Sequence, residues 1–368
     1  MGLSICYSSL AICDDHSTSI RRLLSDVPYD KICGLVLFGL YKDSEYHQAL
    51  EKIKETVYDT LNRKIPVTLI PQRTLPENSL SAEIYILENT QDIHFEEKDG
   101  ISYGIVRSKE YSLLFMEGIP SSDVSESVRL QSDEVFGKVD NLLSLHGFRP
   151  EDIVRQWNYI GNITCHRGGK QNYQEFNDSR TAYYNNGNWT NGYPAATGIG
   201  MSSDGIIVGC IAFKAAEGIY PINNPLQVAA HVYSKKVLID ENPKALKSTP
   251  KFERAKVIEI GGKAYCFVSG TAAIRGEESM NNSSARMQTI QTIENIHHLV
   301  SEENLIRFGC KAYNLNYSHL RIYIKHEEDY EEIKSVVDEF FPDTPAIFTI
   351  ADVCRRELLV EIEGILIS

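Results

Sequence analysis

The stretches "LLFMEGIP" (Leu113–Pro120) and "AYCFVSGTAAI" (Ala264–Ile274) decide the fold between them. Each is a short apolar run that reaches a glycine, Gly118 or Gly270, and reads as a strand entering a turn. Downstream lie "VDNLLSL" (Val139–Leu145) and "IENIHHL" (Ile293–Leu299), both with apolar residues at helical spacing. The two glycines lie 152 residues apart and Asn141 and Asn295 lie 154 apart, so the register holds across strand and helix. A register kept over that distance marks an internal repeat.

The repeat extends outward. A strand follows each helix, "IVRQWNYI" (Ile153–Ile160) and "HLRIYIK" (His319–Lys325). Second helices come next, "NYQEFNDSRTAYY" (Asn172–Tyr184) and "DYEEIKSVVDEFF" (Asp329–Phe341). Each copy closes on strands within "YPAATGIGMSSDGIIVGCIAF" (Tyr193–Phe213) or "TPAIFTIADVCRRELLVEIEGI" (Thr344–Ile365). This order makes an α+β unit of domain size. A reduced copy precedes them in "ICGLVLFGLY", "YHQALEKIKETVYDTL" and "PVTLIPQRTLPENSLSAEIYIL", without a clear middle strand. The expected organisation is a partial unit over 1–94, full units over 95–215 and 253–368, and a connector over 216–252. Three units in one chain imitate an oligomer, so a monomer or a small homo-oligomer is expected.

Composition narrows the function. The 368 residues are 42% hydrophobic and 24% charged, an ordinary globular balance. A net charge of −13 argues against nucleic acid as a partner, because that affinity is built from clustered Lys and Arg. A small anionic substrate needs only a few basic side chains. No apolar run is long enough to span a bilayer, and the opening residues lack a signal peptide's basic and apolar regions. The eight cysteines are scattered with no Cys-x-x-Cys pair, which suits reduced thiols in a cytoplasm. "CHRGGK" (Cys165–Lys170) lacks the phosphate-loop spacing, and His297-His298 has no companion ligands at helical spacing. No metal and no cofactor are expected.

The final strand carries the chemistry. "LLVEIEGILI" (Leu358–Ile367) sets Glu361 and Glu363 inside an apolar run, and alternation points both to one face. An unpaired buried charge is expensive, so that face is solvated, or a carboxyl there is paired, or it is protonated and useful. The middle copy has Gly209 where the last has Glu361, while the first copy keeps Glu83. A carboxylate lost from one copy serves a particular pocket rather than the fold. One productive pocket per chain is therefore expected, between the middle and C-terminal units.

The unit resembles the RidA/YjgF fold, which ends on a Leu-Val-Glu-Ile-Glu strand and places active sites at the interfaces of a trimer. From Arg155 onward the chain resembles the chorismatases, single chains built on that fold. The resemblance is carried by "RQWNYIGNI", "YQEFNDSRTAYY", "PAATGIG", "NPLQVAAHVY", "FERA", "SGTAAIRGEES" and "ADVCRRELLVEIEG", in that order. It implies an α+β fold of tandem RidA/YjgF-like (chorismate mutase-like) units forming a pseudo-oligomer. It also implies hydrolysis of chorismate to pyruvate plus a dihydroxycyclohexadiene carboxylate or a hydroxybenzoate. By the same resemblance Glu361 is the acid that protonates the enolpyruvyl group. That role needs a raised pKa, which burial beside Val360 and Ile362 supplies. Glu363 is expected to be its bystander.

Two substrate carboxylates call for cations. Arg155, Arg180 and Arg254 sit in the matching motifs, although a surface or ion-paired arginine is the plainer reading of each. Tyr159 and Trp157 are candidate pocket walls, as are Ala272 after "SGT" and Cys354, seven residues before Glu361. The chain departs from the family pattern at two places. Lys325 follows "RIYI" where chorismatases carry arginine, and "MNNSS" (Met280–Ser284) replaces a His-x-Gly-Asp element. Two alternatives remain open: a RidA-like imine or enamine deaminase, and a non-catalytic binding protein for a small carboxylate. The arginine that RidA enzymes hold near the Pro-Ala turn is missing here, where Ile347 stands.

Overall fold

The fold is that of a computed structural model, which describes residues 3–11, 16–77, 79–87, 93–167, 169–234, 248–280, 283–311 and 314–368. The first unit runs β1 (Leu3–Ala11), α1 (His16–Leu24), β2 (Ile32–Phe38), α2 (Asp43–Leu61), β3 (Val67–Ile70) and β4 (Ser79–Leu87). The second adds a leading pair, β5 (Ile93–Lys98) and β6 (Ile101–Arg107), before β7 (Tyr111–Pro120), α3 (Val128–Leu145) and β8 (Ile153–Gly161). A small hairpin, β9 (His166–Arg167) and β10 (Lys170–Gln171), then precedes α4 (Asn172–Tyr184), β11 (Ala195–Met201) and β12 (Ile206–Ala215). The third opens on β13 (Ile219–Ile222), β14 (Ala255–Ile260) and β15 (Lys263–Thr271), followed by the hairpin β16 (Ile274–Arg275) and β17 (Glu278–Ser279). Its remainder is α5 (Ala285–Leu299), α6 (Glu302–Arg307), β18 (Asn316–Ile324), α7 (Tyr330–Phe340), β19 (Ala346–Ile350) and β20 (Val360–Ile367).

One four-stranded sheet occurs three times. Its strand order is β1-β4-β2-β3 in the first unit, β7-β12-β8-β11 in the second and β15-β20-β18-β19 in the third. The leading pairs extend the second and third sheets to six strands. The first unit is therefore a complete sheet without a leading pair. Its middle strand is β2, the segment read from sequence as the opening one. The true opening strand, "LSICYSSLA", pairs with β4 at a sheet edge, and its exposed Ser4, Cys6 and Ser9 hide the apolar pattern. A second difference lies in the expected connector, 216–252, which supplies β13 to the third sheet. Residues 235–247 of that stretch lie outside the described residues.

Each sheet buries one face under its own helices. In the first unit Leu35, Leu69 and Ile84 pack on Ile20 and Leu23 of α1 and on Ile53 and Val57 of α2. The periodicity of α2 is the usual helical one, with Ala49, Ile53 and Val57 on a single stripe. The helix stops at Asn62, which takes the left-handed conformation at φ 52° and donates its N–H to Tyr58 O. The other faces of the three sheets meet in a shared core that joins Val36 and Tyr85 to Phe115 and Trp157, and these to Phe267 and Tyr323. Strands covered on both sides are buried along almost their whole length, as β8 and β20 are, so the polar residues they carry need partners inside the protein.

Strand register makes the copies comparable residue by residue. In the parallel pairs, Val36 faces Thr68, Trp157 faces Thr197 and Tyr323 faces Thr349. Across their other edge the same three residues face Glu83, Gly209 and Glu361. The first and third units are joined directly by a bridge between Thr74 and Thr349 and by the Arg73–Glu327 ion pair at 2.5 Å.

Candidate active site

A cleft enclosing about 900 Å³ lies between the second and third units. One wall is α4, which contributes Tyr173, Asn177 and Arg180, with Ala196 and Gly198 of β11 beside it. The opposite wall is Glu361 of β20, Gly270 of β15 and Ala272 just beyond that strand. Phe252 and Arg254, ahead of β14, and Cys354 and Arg355, ahead of β20, complete the lining.

Glu361 is 5% exposed and accepts no hydrogen bond from any described residue. Burial pushes its pKa up to about 8, the charge of Glu363 adds to the rise, and Arg155 and Arg254 oppose it. An acid in this state keeps most of its proton at neutral pH. Its carboxyl group occupies the space over Gly270, where a Cβ would lie 1.9 Å from Oε1. That contact leaves glycine as the residue that fits at position 270.

Two buried cations share the cleft. Arg180 and Arg254 are 2% and 3% exposed, and neither has a carboxylate partner among the described residues. Arg180 Nη2 donates to Asn177 Oδ1 at 2.6 Å, and its guanidinium lies over the Phe176 ring. Arg254 Nη2 donates to Val228 O at 2.7 Å and to Tyr233 Oη at 2.6 Å. The Nε of each is buried without a partner. Desolvated guanidinium groups are costly unless an anion satisfies them. Arg355 is a third cation; its Nη1 donates to Glu277 O at 3.0 Å and to Ser279 Oγ at 2.9 Å. Burial, with the charge of Glu361 second, pushes the Cys354 thiol up to about 12, so it stays neutral and serves as a wall.

Four residues expected in the cleft, Arg155, Trp157, Tyr159 and Lys325, lie elsewhere. Arg155 points to the junction of the three sheets, where Nη2 donates to Glu363 Oε2 at 2.6 Å and to Thr197 Oγ1 at 2.8 Å. Tyr159 accepts from Arg321 Nη1 at 2.7 Å in the same centre. Lys325, one residue past β18, is half-buried, and its Nζ donates to Arg356 O. The reason is common to Arg155, Trp157 and Tyr159. A strand residue's parity fixes its face, but the face of β8 or β18 away from the helices meets the shared core, not the cleft. Within "MNNSS", Met280, Ser283 and Ser284 form the approach to α5, which Ser284 caps, while residues 281–282 lie outside the described residues.

Glu363, the expected bystander, is ion-paired and hydrogen-bonded. Its Oε1 accepts from Trp157 Nε1 at 3.0 Å and Tyr323 Oη at 3.2 Å and pairs with Arg321 at 3.1 Å. Burial alone would raise its pKa, but Arg155, Arg321 and the hydrogen bonds from Thr197 and Trp157 hold it below the ordinary value. Arg321 in turn grips Glu83 of the first unit, with Nε donating to Oε1 at 2.6 Å and Nη2 pairing with Oε2. Two arginines and two carboxylates from three units thus form one buried centre. Neither Arg321, on an apolar strand, nor Arg355, one of an adjacent pair, was singled out from sequence. Tyr233 carries no signal of its own beyond its place at the end of "NPLQVAAHVY".

No helix among the described residues is long and apolar enough to cross a membrane, and those residues contain no group of His, Cys, Asp or Glu placed to hold a metal ion.

Comparison with known proteins adds four observations. A family model described as chorismatase FkbO/Hyg5-like, N-terminal, matches residues 85–212. The chain is 30% identical over 319 residues to a 3-hydroxybenzoate synthase of Streptomyces hygroscopicus, covering 84% of this chain and 87% of the relative. It is 31% identical over 238 residues to a chorismatase of Streptomyces rapamycinicus, covering 63% and 68%. A solved chorismatase structure superposes with a TM-score of 0.72 at 20% identity, covering 100% of this chain and 99% of that one, so the α+β fold of tandem units is shared.

Proposed function

The chain belongs to the chorismatase family, and from that premise we propose that it converts chorismate, releasing its enolpyruvyl side chain as pyruvate. Glu361 delivers a proton to the terminal methylene carbon of the enol ether. The cation formed is an oxocarbenium ion, which either water or a ring hydroxyl traps. Loss of pyruvate after water addition leaves a dihydroxycyclohexadiene carboxylate. Elimination without net water uptake leaves a hydroxybenzoate.

The observation that carries this reading is the pairing of an unpartnered, buried carboxyl with two buried arginines that have no carboxylate partner. Arg180 and Arg254 match the substrate's two carboxylates, and Arg355 adds a third donor set at the mouth. Burial, with the charge of Glu363 behind it second, keeps the Glu361 proton on at neutral pH. Cys354 and Ala272 leave a neutral, narrow wall against which a ring can lie. Losing a general acid costs roughly 10²–10⁴-fold in rate. The test is incubation with chorismate, following pyruvate by a coupled assay and identifying the ring product by mass spectrometry and NMR. Pyruvate release at the parental rate from a folded Glu361→Gln chain would refute the mechanism, and no release by the unaltered chain would refute the substrate.

A further inference from the structure

Strand β15 is bulged where the acid lies over it. Val268 faces Gly364 and Thr271 faces Ile362, so Ser269 and Gly270 together oppose the single residue Glu363. A bulge of this kind breaks the ladder and re-aims the side chains beside it. An N–H that leaves the ladder inside the protein needs another partner. For Gly270 the second unit supplies it, since Gly270 N donates to Thr197 Oγ1 of β11 at 3.0 Å. Beside it the exchange runs the other way. Ala196 N donates to Ser269 Oγ at 2.8 Å, and that hydroxyl donates on to Glu253 O at 2.6 Å. Two adjacent residues of β11 thus clamp the two bulge residues of β15 across the junction of the units.

The Thr197 hydroxyl is fully used. It accepts from Gly270 N and from Arg155 Nη2, and it donates to Glu363 Oε2. A hydroxyl offers one donor and two acceptor sites, so these three bonds fix its orientation. Thr197 is buried beneath the cleft, whose lining includes its neighbours Ala196 and Gly198 but not Thr197 itself. Its Cγ2 and Glu361 Oε1 approach one point, the place of a Cβ on Gly270, from 3.1 and 1.9 Å. The methyl group therefore stands beside the acid, and the hydroxyl holds the backbone under it.

The other junctions differ at this point. In the second unit a like bulge sets Glu117 and Gly118 opposite Gly209, and Thr68 holds the register position of Thr197. There Thr68 Oγ1 has no hydrogen-bond partner among the described residues. In the third unit Thr349 holds that position, and its hydroxyl donates to Gln72 Oε1 at 3.2 Å. In the first unit β1 pairs with β4 without a bulge. Among the described residues, the clamp is made at the junction where the last strand carries a carboxyl to the cleft.

We propose, on the reading of Glu361 as the acid, that Thr197 is a positioning residue for the reaction. Its hydroxyl takes the N–H released by the β15 bulge, and so fixes the floor on which the Glu361 carboxyl lies and the point from which the proton is delivered. Thr197 acts through Gly270 and touches no substrate, so its loss costs rate and not binding. A misplacement of about 1 Å at a reacting group costs up to roughly 10²-fold.

The test separates the hydroxyl from the methyl group. Thr197→Val keeps the shape and removes the hydroxyl, whereas Thr197→Ser keeps the hydroxyl and removes the methyl. Thr197→Val is expected to lower kcat for pyruvate release about tenfold or more, with KM within about twofold of the parent's. Thr197→Ser is expected to recover most of that loss. Carbon-13 NMR titration of the Glu361 carboxyl in the glutamate-labelled full chain, assigned by its absence from Glu361→Gln, reads the same clamp without turnover. Its midpoint is expected near pH 8 in the parent and in Thr197→Ser. In Thr197→Val it should lie about one pH unit lower, because burial is the chief cause of the rise and a loosened floor admits water. Ser269→Ala opens the clamp from the β15 side, should move the midpoint likewise, and decides the matter if Thr197→Val does not fold. Absence of pyruvate from the parent removes the reaction and leaves the titration to decide the clamp. Parental kcat or a parental titration in a folded Thr197→Val chain, or equal losses in Thr197→Ser and Thr197→Val, overturns the proposal.

Discussion

Replacing each carboxylate of the last strand by glutamine separates their roles by the sign of the stability change. Glu361 has a folded pKa near 8 against an ordinary value of 4.5. A carboxyl raised in this way favours folding below pH 4.5, and the advantage is lost as pH rises through 8. At pH 7 the loss is 2.5 pH units at 1.36 kcal/mol each, or about 3 kcal/mol as an order of magnitude. Glutamine escapes it, so Glu361→Gln should be more stable than the parent at pH 7, and its stability should fall less between pH 5 and pH 8. Glu363 is the reverse case, because its pKa is lowered and its stabilisation is present above the ordinary carboxyl value and lost in acid. Glu363→Gln leaves Arg155 and Arg321 to share Glu83 in a dry interior, at a cost of about 3–5 kcal/mol. The measurement is urea unfolding of both variants and the parent at pH 5, 6, 7 and 8, alongside turnover. Small, equal losses of stability in the two variants would sink the assignment of one as an unpaired acid and the other as an ionised anchor.

Further outcomes follow from the same geometry. Turnover should hold through pH 7 and fall as pH rises past about 8, where Glu361 gives up its proton. In any folded Glu363→Gln chain this limb should move to lower pH, and a limb that stays put removes the electrostatic link. Arg180→Gln and Arg254→Gln should each raise KM about tenfold or more by taking a cation from the cleft, whereas Lys325→Ala should leave both kinetic constants near the parent's. A tenfold KM change in Lys325→Ala would reinstate it as a substrate ligand. Gly270→Ala forces the Glu361 carboxyl aside by filling its space, so its turnover should fall with little change in unfolding midpoint. Parental turnover in Gly270→Ala would mean that the acid sits elsewhere.

Much of this was legible in the chain. The offset between Gly118 and Gly270 located equivalent strand ends, and parity along the last strand put Glu361 and Glu363 on one inward face. Arg180 and Arg254 stand in the cleft, Arg180 on the side of helix α4 that it shares with Gln174 and Asn177 and Arg254 on the approach to β14. Arg155 and Tyr159 failed on a different ground. Their strand is buried on both faces, and nothing local tells which of three neighbouring units a face will meet. Arg321 looked like an interruption in an apolar strand because its partner, Glu83, lies 238 residues away. Glu117 of β7 fills the space over Gly209 of β12, and repeats aligned position by position give no match for a carboxyl that has crossed to the next strand.

The centre where the sheets meet imposes an arithmetic on the chain. Gly34, Arg155 and Arg321 hold one register position in the three units, and Tyr85, Ile211 and Glu363 hold the position facing it. A ring of identical subunits can place charges around its axis only in threes, so two cations and two anions are beyond its reach. Three arginines there would repel one another, and three neutral residues would forgo the anchor behind the acid. Here the odd member is glycine, and the Phe115 ring occupies the room it leaves, 2.4 Å from where a Cβ would stand. Joining the units in one polypeptide releases the axis from divisibility by three, and an evenly matched quartet of charges becomes attainable.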